Sequence, residues 1–206
     1  REKIIHVPER IMQIHSQTIN SMLAYWMNES KDRMICITES LTASTVYSNI
    51  YHADFNVKPQ VIARWFLPVL QSLNYLHTLN PPIIHGKIHP KTIFIKASSG
   101  SVKLISPSLI SNCISLNNKE IRIHPTMPPE LLADKESTYS DIYSFGMALL
   151  YTVTGKEPYE ECKSPLELIQ KISNYIPPDS LKLIGDSNLA DLILQCLRPV
   201  SQRPTA

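Results

Sequence analysis

From Pro59 to Leu79 the apolar residues fall at helical spacing: Val61, Ile62, Trp65, Phe66, Val69, Leu70, Leu73 and Leu76. One such stripe predicts an amphipathic helix. Pro68 lies inside it, where the lost N–H and the ring clash cost about 3 kcal/mol and usually kink the axis. Pro81-Pro82 ends the segment. From Ser140 to Thr154 the apolar positions go all the way round: Ile142, Tyr143, Phe145, Met147, Ala148, Leu149, Leu150 and Val153. A helix with no polar face predicts a buried central element, and Gly155 supplies its C-terminal cap. Two amphipathic helices are expected after it, roughly 165–174 and 188–197.

The shorter runs read as strands. Met34 to Thr38 is apolar and short, and residues 39–43 read as a connector behind it. Residues 92–95 and 101–105 flank Ser98-Ser99-Gly100, which is turn chemistry, so this pair predicts a hairpin. Ile11, Ile14 and His15 give a short helical face at the front. Residues 107–129 show no period and read as a long irregular loop, a kind usually functional or mobile. The layout is α+β: a small β-containing part followed by a mostly helical part.

Composition narrows this picture. A chain of 206 residues with 43% hydrophobic content can bury one substantial core. The formal net charge is +2 with no block of like charge, so no nucleic-acid or membrane surface is indicated. No apolar run reaches the roughly 20 residues that a membrane span needs. Cys36, Cys113, Cys162 and Cys196 are far apart with no C-x-x-C pair, which reads as free thiols in a reducing compartment. A cytoplasmic location is therefore expected. There are five glycines and none before Gly86, so these residues contain no Gly-rich phosphate loop. Both ends look cut, and a piece of a longer chain is expected.

The order of segments resembles a eukaryotic protein kinase, most of all the with-no-lysine (WNK) kinases and the nuclear receptor-binding protein pseudokinases. His85-Gly86-Lys87-Ile88-His89-Pro90-Lys91-Thr92 resembles the catalytic loop H-R-D-L-K-x-x-N. Residues 100–109 resemble the strand and D-F-G segment, with Ser106 and Pro107 at its Asp and Phe. Pro128-Pro129-Glu130 stands at A-P-E, and Asp141-Ile142-Tyr143-Ser144-Phe145-Gly146 resembles the start of the central helix. Glu157-Pro158-Tyr159 resembles the next loop, and Cys196 to Thr205 resembles C-L-x-x-x-x-x-R-P-T. Six landmarks in order weigh far more than any one of them. The resemblance implies a protein-kinase-like fold: 1–38 a partial N-lobe, 39–43 the hinge, and 44–206 the C-lobe.

It also implies where the chemistry should be. Phosphoryl transfer rests on positioning and on neutralising charge. A kinase uses one Asp at the substrate hydroxyl, and an Asn and a second Asp on Mg²⁺. The matching positions here are Lys87, Thr92 and Ser106. An ammonium has no lone pair to accept a proton. A threonine or serine hydroxyl is a poor partner for a cation that prefers charged oxygens. Removing a group that acts in the transition state costs roughly 10²-fold or more in rate, so three changes together make ordinary catalysis improbable. The helix acid that pairs with the ATP-binding Lys would fall near Val7, with Glu9 close by.

The scaffold positions are kept. Glu130 and Arg203 match the ion pair that ties the activation segment to the helical lobe. Asp141 matches the acid that holds the backbone of the His85-Gly86-Lys87 loop. Ile11, Met22, His85 and Pro107 fall at positions of the hydrophobic spine, where Pro107 replaces a Phe. Thr38 resembles the gatekeeper, Glu39 and Leu41 the hinge, and Phe94 the floor of an adenine pocket, although plain strand and core residues would look the same. His85 and His89, four apart, read as structural and not as a metal pair, and Trp26 and Trp65 as packing residues. The expectation is a pseudokinase that binds other proteins, with no metal and no required cofactor, ATP without Mg²⁺ staying open. The alternative is a divergent Ser/Thr protein kinase that moves the ATP γ-phosphate onto protein hydroxyls.

Overall fold

A computed structural model describes residues 9–27, 34–51, 57–105, 124–133 and 135–206. The front part is a helical turn at 9–12 and an antiparallel pair of strands, β1 (Met22–Met27) and β2 (Met34–Thr38). The register shifts between Met22 and Ala24. Ile11, Ile14, Ile19 and Met22 are buried together against Leu76 and Ile83. The opposite face of the pair is open: Leu23, Ile35, Ile37 and Trp26 are all exposed. Trp26, expected to pack, is 46% exposed, whereas Trp65 does pack against the main core. Among the described residues the strand pair is covered on one side, and Trp26 falls on the other one.

A second sheet has the order β3 (Ser44–Thr45), β4 (Ile93–Ile95), β5 (Val102–Leu104), all antiparallel. The hairpin β4–β5 alternates, with Ile93, Ile95, Val102 and Leu104 buried and Phe94 and Lys103 partly open. The front part is fastened to β5 through the backbone: Leu104 N donates to Thr18 O at 2.8 Å and Asn20 N to Leu104 O at 3.0 Å. α1 (Val46–Tyr51) follows β3 directly. α2 (Pro59–Thr78) runs unbroken past Pro68 and buries Ile62, Phe66, Val69, Leu73 and Leu76. Continuity here shows tertiary packing overriding a local penalty of about 3 kcal/mol.

α3 (Thr138–Thr154) is the axis of the helical part, and every residue from Ser140 to Thr152 is buried. It starts two residues before the apolar run, because polar Thr138 and Tyr139 extend the first turn, where Ser137 N donates to Ser140 Oγ at 3.1 Å. Gly155 ends it at φ 65°, giving its N–H to Tyr151 O at 2.8 Å. That left-handed conformation is cheap only for glycine. α4 (Pro165–Ser173) and α5 (Ser187–Cys196) pack around it. A Cβ on Gly146 would come within 2.5 Å of Cys196 Cβ, so a bare α-carbon lets α3 and α5 approach closely. The 3₁₀ turns at Pro129–Ala133, Asp179–Leu183 and Val200–Gln202 are too short to show a period in the sequence. Cys36, Cys162 and Cys196 are free thiols, while Cys113 lies outside the described residues.

Candidate functional site

The loop between α2 and β4 is held from below by one buried carboxylate. Asp141, on the first turn of α3, is 1% exposed. Its Oδ2 accepts from His85 N at 2.8 Å and its Oδ1 from Gly86 N at 2.7 Å. His77 Nε2 lies 2.8 Å from the same Oδ2. Gly86 turns at φ 74°, the left-handed region that suits a residue without Cβ. His85 is fully buried, and its tautomer follows from its partners. Nδ1 accepts from Lys87 N at 3.2 Å, so Nε2 carries the proton given to Ile105 O at 3.0 Å. Burial, the main cause, lowers the His85 pKa and keeps the ring neutral.

The loop then closes through Thr92. Its hydroxyl accepts from His89 N at 3.1 Å and lies 2.9 Å from His89 O and 3.0 Å from Lys87 O. The residue is 8% exposed. Both the proton and an acceptor position of this oxygen are thus used within the loop. The Lys87 side chain, by contrast, is exposed to solvent. Ser106 and Pro107 lie outside the described residues, as does Val7. Glu9 sits on the turn 9–12 and is exposed. Of the remaining spine positions, Ile11, Met22 and His85 are buried.

Glu130 and Arg203 come together across 73 residues of sequence. Arg203 Nη1 donates to Glu130 Oε1 at 2.6 Å and Nη2 to Oε2 at 3.3 Å. Nη1 also donates to Tyr139 O at 2.6 Å and Nε to Arg198 O at 3.0 Å, while the guanidinium lies 5.1 Å from the Tyr143 ring centre. Ser140 Oγ gives a further bond to Glu130 Oε1 at 2.8 Å. The bidentate fork matches the carboxylate, the arrangement in which such pairs are strongest.

Glu39, Leu41 and Phe94 line one small cavity of about 100 Å³, together with Ala43, Ser101 and Lys103. Thr38 is not among its walls. It ends β2, paired with Met22, and is exposed. Glu39 accepts from Ser21 N at 2.9 Å and is paired with the Lys103 ammonium. The bond from Lys103 is the main reason its pKa is lowered. Sequence reading did not find this pair, because opposite charges 64 positions apart leave no local signal. The space is below the roughly 300–1,000 Å³ of ordinary ligand pockets.

A larger cavity, about 650 Å³, opens on the other side of the loop. Lys87, His89, Lys91, His124, Thr126 and Met127 are among its walls, and none of the described lining residues is acidic. His124 and Thr126 were not singled out in the sequence, since they fall in the aperiodic stretch 107–129. Thr126 gives its N–H to His124 Nδ1 at 3.3 Å, and its hydroxyl lies 2.9 Å from the same atom. The His89 and His124 rings meet edge to face at 5.6 Å. Lys91 sits 4.4 Å over the Tyr47 ring. Burial first, then the charges of His124, Lys91 and Lys87, push the His89 pKa down to about 4. His124 is also lowered by burial, partly offset by Glu157. His85 and His89 do not converge: one ring faces Ile105 O and the other packs on His124 and Tyr151.

This fold, with its two small sheets, its buried axial helix and its Asp-anchored loop, is that of a protein kinase. The family profile described as the protein kinase domain matches residues 5–206, and the chain belongs to that family. Among its relatives, the serine/threonine-protein kinase WNK8 of Arabidopsis thaliana is 30% identical over 100% of this chain and 38% of its own length. The serine/threonine-protein kinase pkpA of Phycomyces blakesleeanus is 33% identical over 88% of this chain and 29% of its own. The human serine/threonine-protein kinase WNK2 is 28% identical over 96% of this chain and 9% of its own. The chain thus spans well under half the length of these relatives. A crystal structure of Rad53 in complex with AMP-PNP superposes with a TM-score of 0.82 at 16% identity, covering 100% of this chain and 52% of that one, which is a likeness of fold. Among the described residues, no helix is long and apolar enough to cross a membrane.

Proposed function

We propose that this is a protein-kinase domain, WNK-like in sequence, whose phosphoryl-transfer site is impaired and which acts by binding other proteins. The observation that supports this most is the loop 85–92. Its backbone is held by Asp141 as a kinase loop would need, yet the base position carries the Lys87 ammonium and the Thr92 hydroxyl is tied into the loop itself. Thr92 offers Mg²⁺ neither a carboxylate nor an amide oxygen, so the described donor set does not fit that ion. The residues at 39–43 would form the hinge between the lobes.

The experiment is a thermal-shift titration of the full-length protein with ATP, with and without Mg²⁺. The nucleotide affinity should be the same in both to within a few-fold. A rise of roughly tenfold or more on adding Mg²⁺, about 1.4 kcal/mol, would show a working metal site. A second reading has its own support. The relatives named above are described as serine/threonine-protein kinases. On that reading the chain is a divergent Ser/Thr kinase, with base and metal ligands drawn from other residues, and the Mg²⁺ response separates the two.

A further inference from the structure

We propose that the cavity beside the loop 85–92 is a binding site for a phosphorylated serine or threonine side chain on a partner protein. This deepens the binding role proposed above, because the change that removes a base also creates an anion site. Lys87 stands where the family's carboxylate would repel a phosphate, and Lys91 also lines the cavity. No carboxylate lies among the described lining residues to neutralise them. Of the acids around it, Glu130 is engaged with Arg203 and Ser140, and Asp141 with the backbone of His85 and Gly86, while Glu157 acts on His124 from outside the lining residues. Lys91 is held by the Tyr47 ring, which positions an ammonium without cancelling its charge.

The imidazoles add donors of fixed tautomer. His89 Nδ1 accepts from Lys91 N at 3.1 Å and His124 Nδ1 accepts from Thr126 N, so Nε2 bears the proton in each neutral ring. A bare phosphate would leave most of the 650 Å³ empty. The apolar remainder of the wall, Ile88, Met127, Pro128 and Leu131, suits the side chain and backbone that carry the phosphate. Burial and, after it, the neighbouring cations depress His89, so a dianion seated here would offset the like charge of Lys87 and Lys91 as well as pair with them.

The test is fluorescence anisotropy on the full-length protein without nucleotide, which keeps it independent of phosphoryl transfer. The probes are a labelled peptide pool with a fixed central phosphoserine and random flanks, the same pool with serine, and inorganic phosphate as competitor. The phosphorylated pool should bind at least roughly tenfold more tightly. Lys87→Ala with Lys91→Ala should abolish that difference while lowering the melting temperature by no more than a few degrees, since both residues are exposed and only the Lys91 contact with Tyr47 is lost. Equal binding of the two pools, or a preference that survives both substitutions, overturns the proposal. So does inorganic phosphate that competes at the peptide's own affinity, which would mean an anion site and no peptide site. Phosphoryl transfer by a protein that also shows the Lys87-dependent preference would refute the impaired-kinase reading and leave this site standing.

Discussion

Arg203→Ala lowers the unfolding free energy of the domain by about 3–5 kcal/mol. The side chain is completely buried, and its loss strands the Glu130 carboxylate, which is itself only 7% exposed. It also removes the guanidinium's bonds to the carbonyls of Tyr139 and Arg198. A buried carboxylate without its partner is costly because desolvation is no longer offset by the guanidinium. Replacing both partners with apolar residues of similar size, Glu130→Leu with Arg203→Met, should lose clearly less than the sum of the single changes. Denaturant melts check this. A single-mutant loss below about 0.5 kcal/mol, the size of an exposed pair, would mean the pair does not hold the 3₁₀ turn at Pro129–Ala133 to the end of the chain.

Asp141→Ala has the second large effect, and it falls on a different part of the molecule. The buried N–H of His85 and the part-buried N–H of Gly86 lose the carboxylate that accepts from them, and His77 loses its contact. Each unsatisfied buried group costs about 1–3 kcal/mol, so a total of about 3–5 kcal/mol is expected. Asp141→Asn is not a rescue, because an amide replaces one of two acceptor oxygens by a donor. It should lie between alanine and the native residue. Hydrogen exchange distinguishes this from a global effect: protection at His85 and Gly86 should fall in Asp141→Asn while that of the α3 interior persists. Protection unchanged at both sites would show that Asp141 does not hold the loop.

Much of the frame was legible because long elements carry long patterns. The stripe on α2 and the all-round apolar run of α3 placed both helices to within two residues, and the turn at Ser98-Ser99-Gly100 placed the β4–β5 hairpin. Segment order gave the kinase-like fold. What escaped has a physical reason in each case. β3 has two residues and the 3₁₀ turns three to five, too few for any period. Trp26 reads as core by residue type, but no described residue covers its side of the two-stranded pair, and it is exposed. The cavity of Lys87, Lys91 and His124 joins residues from a loop and from an aperiodic stretch, and only folding brings them together. Thr92 could be placed in the sequence, but not the fact that its hydroxyl closes the loop.

The central claim is that this loop keeps a kinase's framework while lacking its phosphoryl-transfer chemistry. The direct measurement is phosphate incorporation by the full-length protein from γ-labelled ATP with Mg²⁺, into itself and into a general protein substrate. The account predicts no incorporation above a buffer blank, and none gained or lost with Lys87→Ala. Incorporation that survives Lys87→Ala and Thr92→Ser but disappears with a Thr92→Ala variant that still folds would contradict it, for the Thr92 hydroxyl would then be serving the reaction as well as the loop.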